Sequence, residues 1–265
     1  MTDARPPAGG AATVGNVTEV AADGQPVTAA ASRRGNAVPE PQVTTMFDSI
    51  APVYDRMNTL MTAGLDGRWR RSAVRAARLS RGGSALDVAC GTGKLTVALA
   101  GAVGPEGRVL GVDLSPAMLD QARLAFGELV GVEFRVGNAL ALPVADQSFD
   151  AATIAFGLRN LSSFEDGFRE MARVVRSGGR VVCLELSVPR PRLAARVYEG
   201  TFRLMAPVVG TLFRRRTAYR YLPHSLDGFP AAEEIAATMR RVGLRDVSFR
   251  RLALGAVALH VGTVA

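Results

Sequence analysis

Residues 84–93 read SALDVACGTG: an apolar run carrying one acid breaks into a glycine turn, and a helical pattern follows from Leu95. That order builds a strand, a tight loop and a helix N-terminus. These are the parts that hold a nucleoside-bearing cofactor at the carboxyl edge of a parallel sheet. A second acid, Asp113, closes the next apolar run, RVLGVD at 108–113. It follows the loop by about twenty residues, where a carboxylate accepts both hydroxyls of a ribose. The dinucleotide fingerprint G-x-G-x-x-G is not met, because Thr96 stands where its third glycine belongs.

Outward from this stretch, strands and helices alternate. Strands are expected at 84–89, 108–112, 132–136, 149–156 and 180–186, and helices at 95–102, 116–129 and 164–175. Ser115 caps the second of these helices with Pro116 at its first position, and Gly178-Gly179 closes the third. Near-continuous apolar strands separated by helices indicate an α/β fold with a mostly parallel sheet covered on both faces. Upstream, 46–60 places Phe47, Ile50, Tyr54 and Met57 at helical spacing, interrupted by Pro52. The stretch 66–79 reads as an amphipathic helix with Asp66 as its N-cap and Trp69 facing inward. Downstream, 231–242 is a helix, and 247–254 with 256–264, split by Gly255, form a C-terminal β-hairpin.

The chain has 265 residues, 48% of them hydrophobic, which is ample for one core. Residues 1–43 carry no aromatic and are expected to be a disordered tail, leaving one domain at 44–265. No window reaches the ~18 uncharged apolar residues of a membrane helix, and no signal-peptide hydrophobic region opens the chain. The two cysteines, Cys90 and Cys183, suggest neither a disulfide framework nor a metal site. A reducing compartment is expected, hence a cytoplasmic location. Peripheral contact at the inner face of the plasma membrane is expected separately, from the basic and apolar segment 189–228. The net charge is +8, and every basic residue except Lys94 is arginine. Such a surface suits anionic lipid, nucleic acid or acidic substrates. Aromatics at 6% and the lack of a stacking platform weigh against nucleic acid.

The spacing D-x-x-x-G-x-G, from Asp87 to Gly91 and Gly93, resembles motif I of the class I S-adenosylmethionine (SAM)-dependent methyltransferases. For such a ligand, Gly91 and Gly93 let backbone approach the amino-acid end, and the Thr92 hydroxyl hydrogen-bonds its carboxylate. Asp113 takes the ribose, and the Asn138-Ala139 turn contacts the adenine edge. Asp87 orients the loop amides.

Six further segments occur in order: MFDSIAPVYDRMN at 46–58, LDVACGTGKLT at 86–96, NALALPVADQSFD at 138–150, FGLRN at 156–160, YRYLPHSL at 219–226 and GAVALHVG at 255–262. Together they closely resemble the quinone-biosynthesis C-methyltransferases, the UbiE/COQ5 family. The resemblance covers nearly everything from about residue 46 to the C-terminus. It implies a Rossmann-like methyltransferase fold with a seven-stranded sheet. It also implies SAM-dependent methylation of a ring carbon of a polyprenylated quinol, demethylmenaquinol to menaquinol first among them and the ubiquinone pathway second. The cofactor contacts it implies fall on Thr92, Asp113, Asn138 and Ala139. Two positions depart from the family pattern: Lys94 stands where an acid is frequent, and Ala155 where a cofactor-contacting serine is frequent.

Methyl transfer to carbon needs a nucleophilic ring, which a hydroquinone becomes on losing a phenolic proton. The protein then has to align the two partners, exclude water and assist the deprotonation. Arg159, just past the fourth strand, is placed to stabilise a phenolate, or else to anchor the FGLRN turn in an ion pair. Tyr54 covers the cofactor or contacts the quinol, or packs as a core aromatic. His260, alone among apolar strand neighbours, is either a catalytic group or a satisfied core histidine. The segment 189–228 interleaves arginines, including 214–216, with apolar residues, as a lid over a prenyl tail with a basic rim toward anionic lipid would. Tyr219, Arg220 and Tyr221 line its entry or form a packing turn. Two other functions fit parts of the pattern: methylation of a different lipophilic phenol, and a non-catalytic SAM- or RNA-binding protein.

Overall fold

The computed structural model of the chain describes Gly35, residues 38–187 and residues 229–265. The segment 189–228 expected to form a lid, Tyr219 to Tyr221 within it, and nearly all of the expected tail lie outside the described residues.

One sheet runs through the molecule in the order β3-β2-β1-β4-β5-β7-β6. Its parallel part is β1 (Ser84–Val88), β2 (Arg108–Asp113), β3 (Val132–Val136), β4 (Phe149–Ala155) and β5 (Val175–Leu186). Between β5 and the edge strand β6 (Arg245–Leu252) lies β7 (Val257–Thr263), antiparallel to both. β1 is buried along its whole length, as a central strand covered on both faces must be. One face carries α3 (Asp66–Ala77) and α4 (Lys94–Val103) over Ala85, Val109, Ala151 and Val182. The other carries α6 (Phe164–Val174) and α7 (Ala232–Arg241), whose Phe168, Met171, Ile235 and Met239 pack on Leu86, Val88 and Ile154. The strand order reverses beside β1, where the open edge of such a sheet takes its ligand.

Ahead of the sheet, α1 (Glu40–Ile50) and α2 (Tyr54–Met61) are joined by a 3₁₀ turn at Ala51–Val53. Pro52 has no N–H for the helical ladder and divides what reads in sequence as one segment. α5 (Pro116–Phe126) is capped as expected: the Ser115 hydroxyl accepts from the Met118 amide at 3.1 Å.

Three local expectations are corrected. Gly178-Gly179 does not close α6, because α6 runs straight into β5 at Val175 and the glycines lie inside that strand. The pairing of β4 with β5 shifts register there, and Gly178 takes φ +79°. Asp66 is not an N-cap: Leu65 holds that position, and the Asp66 carboxylate faces Arg70 one turn on. The hairpin turns through the 3₁₀ segment Ala253–Gly255, so its strands are shorter toward the turn than the sequence pattern suggests.

His260 lies on β7, 1% exposed, with Nε2 2.9 Å from the Ala232 carbonyl and its ring 5.3 Å from that of Phe249. Burial pushes its pKa from 6.5 to about 4. As pH falls from about 6.5 toward 4, the unfolded chain takes up a proton that the folded chain refuses, and stability is lost. His260→Gln removes that component, on the order of 3 kcal/mol across the window. Urea titrations of both proteins between about pH 7 and pH 4 check this. Asp87 is common to both chains and cancels in the difference; parallel pH profiles contradict the assignment.

Candidate active site

The loop after β1 is shaped by three left-handed residues, Ala89 at φ +51°, Gly91 at +56° and Gly93 at +81°. Gly93 also packs flat on the Phe134 ring: a Cβ there would stand 2.8 Å from it. Gly93 leads into the N-terminus of α4, so unpaired amides point at the space above the sheet. Beneath the loop, Asp87 is fully buried. Its Oδ2 accepts from Thr96 at 2.7 Å and its Oδ1 from Thr153 at 2.9 Å, which ties α4 to β4 behind the loop. Burial raises its pKa to about 6 against the pull of these two hydroxyls.

Asp113, at the end of β2, reaches across to the loop. Its Oδ2 accepts from the Gly91 amide at 2.8 Å and its Oδ1 from the Ser115 amide at 2.9 Å. Burial raises its pKa, and the two amides draw it back. Each carboxylate oxygen retains further acceptor capacity on the cleft side.

Above these strand ends lies a cleft, partly open to solvent. Gly91, Thr92, Asp113, Ala139 and Ala155 form its floor and sides, with Tyr54, Phe47 and Phe156 as aromatic walls. Three acids of α1 and α2 fasten its roof. Asp48 accepts from the Ser115 hydroxyl at 2.5 Å. Asp55 accepts from the Thr92 hydroxyl at 2.7 Å and lies 3.4 Å from the Lys94 ammonium. Glu40 accepts from the Asn138 amide at 3.1 Å and from the Ser162 hydroxyl at 3.0 Å. The N-terminal helices are therefore held to β2–α5, to the glycine loop and to the loop after β3.

Residues 36–264 match the model of the ubiE/COQ5 methyltransferase family. The chain is 42% identical over 224 residues to the ubiquinone/menaquinone biosynthesis C-methyltransferase UbiE of Geobacter sulfurreducens, covering 83% of this chain and 88% of that protein. It is 40% identical over 227 residues to the demethylmenaquinone methyltransferase of Desulfitobacterium hafniense, with coverage of 83% and 88%. The chain belongs to the ubiE/COQ5 methyltransferase family. Its fold is that of a SAM-dependent methyltransferase from Thermotoga maritima, at TM-score 0.60 and 21% identity over 84% of this chain and 99% of the other. A second SAM-dependent methyltransferase, from Aquifex aeolicus, superimposes at TM-score 0.55 and 17% identity over 74% and 89%.

The enzyme is a SAM-dependent methyltransferase, and its cleft fits that cofactor: a side-chain-free bend stands beside a fixed carboxylate at the adjoining strand end. Of the residues singled out in sequence, Tyr54, Gly91, Thr92, Asp113, Ala139 and Ala155 line the cleft, but the Thr92 hydroxyl, expected to donate to the donor's carboxylate, donates to Asp55 instead. Asp87 and Gly93 support it from below, Asp87 through the Thr96 and Thr153 hydroxyls and not through the expected orienting of the loop amides. The Asn138 side chain is turned away: its amide goes to Glu40, and its carbonyl accepts from the Leu140 amide at 2.8 Å. Flanking Gly137 and Ala139 form the wall there instead. Arg159 is 7% exposed and sits behind the wall, its Nη1 donating to Glu185 at 2.6 Å and to the Phe156 carbonyl at 2.7 Å. His260 is not among the lining residues.

Sequence reasoning missed Glu40, Asp48, Asp55, Arg70 and Glu185. The acids at 48 and 55 stand within MFDSIAPVYDRMN, where apolar spacing and the family resemblance assign them no role. Their partners lie 67 and 37 residues away, and no local signal marks such pairs.

Asp113→Asn is expected to weaken SAM binding by roughly 10–100-fold, because an amide cannot accept at both oxygens. Asn138→Ala, which removes a side chain facing Glu40, is expected to cost less than about 5-fold. Isothermal calorimetry of both variants checks the pair, and equal losses would contradict this geometry.

Proposed function

We propose that the enzyme transfers a methyl group from SAM to a ring carbon of a polyprenylated quinol, converting demethylmenaquinol to menaquinol. The observation that carries this reading is the match of residues 36–264 to one quinone-modifying family, with relatives near 40% identity bearing both names. When bound, SAM supplies an electrophilic methyl on a sulfonium.

The chain's own residues have three tasks. Gly91 and Asp113 hold the donor at the end of β1 and β2. Tyr54, Phe47, Phe156 and Leu161 give the cleft apolar walls that keep water from the reacting atoms. Glu185 neutralises Arg159 and accepts from its backbone amide at 3.2 Å, fixing the FGLRN turn. That turn carries Phe156, Gly157 and Asn160 onto the cleft wall. Arg159 is thus assigned a positioning role: it sets the face against which the quinol ring rests.

The site lies at an edge suited to a membrane-borne substrate. Leu60, Leu65 and Leu254 are 43%, 39% and 88% exposed. The last sits in the turn between β6 and β7, at the same end of the sheet as the cleft. The basic and apolar segment 189–228 is proposed as the cover for the prenyl tail, with peripheral contact to anionic lipid.

Incubation of the protein with methyl-labelled SAM and a short-chain demethylmenaquinol, kept reduced, is expected to label a ring carbon. Label on a phenolic oxygen, or turnover of other lipophilic phenols but no quinol, would replace the proposal with the alternative substrate class. In flotation with anionic vesicles the protein is expected to rise with lipid and to stay down when salt is raised. Absence from the lipid fraction at low salt ends the membrane part of the proposal.

A further inference from the structure

Arg70 is a cleft residue to which neither the fold nor the methyl transfer as described gives a task. It lies on α3, 9% exposed, and lines the cleft beside Tyr54, Gly91 and Phe156. Its guanidinium carbon stands 5.4 Å from the centre of the Phe156 ring. The nearest carboxylate, Asp66, is 3.6 Å from Nε, beyond hydrogen-bond reach. Nε is buried without a hydrogen-bond partner. Nη1 of Arg159, by comparison, donates to Glu185 and to a carbonyl at 2.6 and 2.7 Å. Burying a guanidinium N–H without a hydrogen-bond acceptor costs free energy that the looser Asp66 ion pair offsets only in part, so this position suits an acceptor that arrives from outside.

The topology says which acceptor. β1 lies between β2 and β4, and neighbouring strands are about 4.8 Å apart. Asp113 ends β2 and Phe156, under the Arg70 guanidinium, follows β4, so the acidic and basic groups stand on either side of the glycine loop. A donor that lays its ribose on Asp113 and crosses the loop brings its amino-acid end toward Arg70. Among the described residues, the cleft is lined by two cations, Arg70 and Lys94, and Lys94 already faces Asp55 at 3.4 Å. SAM carries one carboxylate.

We infer that the Arg70 guanidinium seats the methionyl carboxylate of the donor, with the Phe156 ring and Asp66 holding the guanidinium in place. Its planar fork matches a carboxylate, and the cleft wall excludes the water that would compete. The inference rests on SAM being the donor and is independent of which acceptor is methylated.

The test compares SAM with decarboxylated SAM, which lacks only that carboxylate, on the full-length protein by calorimetry. Wild type is expected to bind SAM at least about 30-fold more tightly than the decarboxylated form. Arg70→Met is expected to lose roughly 30-fold for SAM and under about 3-fold for the decarboxylated form. Arg70→Lys, which keeps the charge but not the fork, falls between. Equal losses for the two ligands would make Arg70 a prop for the cleft and overturn the inference. So would unchanged SAM affinity with a raised KM for the quinol, which would give the seat to the acceptor's oxygen. Should wild type bind neither ligand, the donor assignment itself fails along with the seat. Circular dichroism of the ligand-free variants checks folding. If Arg70→Met does not fold, Arg70→Lys decides: a loss confined to SAM supports the seat, and equal losses overturn it.

Discussion

The hydrogen bond from the Gly91 amide to the Asp113 carboxylate joins the ends of two neighbouring parallel strands, and the rest of the site is arranged around it. A glycine loop left to itself samples many shapes. Here one amide is tied at 2.8 Å to a carboxylate whose other oxygen is tied to the Ser115 amide, so loop, strand end and the cap of α5 are fixed together. The same carboxylate lines the cleft. Its burial raises its pKa while backbone amides oppose the rise, a balance that keeps an acceptor available in a low-dielectric cleft.

Two further layers depend on that junction. Below it, Asp87 bonds Thr96 and Thr153 and so holds α4 to the sheet. Above it, Asp48, Asp55 and Glu40 bring α1 and α2 down as a roof, each through a side-chain hydrogen bond to an element that carries the cleft. The roof residues Phe47 and Tyr54 meet edge to face, 6.1 Å between ring centres. Lys94 takes part through Asp55, so a residue that departs from the family pattern still fastens the glycine loop.

Buried charge is spent unevenly around the cleft. Arg159 and Glu185 satisfy one another and harden the turn that forms one wall. Arg70 and Asp66 form a looser ion pair at 3.6 Å, without a hydrogen bond at Nε, and Arg70 lines the cleft. Paired charge builds the scaffold, and incompletely paired charge is what a ligand can use.

The alternation of apolar strands and helices, the cap at Ser115, the glycine bend and the acids at 87 and 113 could be read directly, because each is written in neighbouring residues through backbone periodicity and turn chemistry. Gly178-Gly179 misled for the same reason: a glycine pair stops a helix in local terms, yet pairing with β4 draws the chain into a strand from Val175 onward. Only the tertiary structure turned the Asn138 side chain to Glu40, enclosed His260 under α7, paired Arg159 with Glu185 and left Arg70 short of a partner. Those outcomes depend on which side chains meet across tens of residues and how much water remains between them. Neither quantity is encoded in the spacing of residues along the chain.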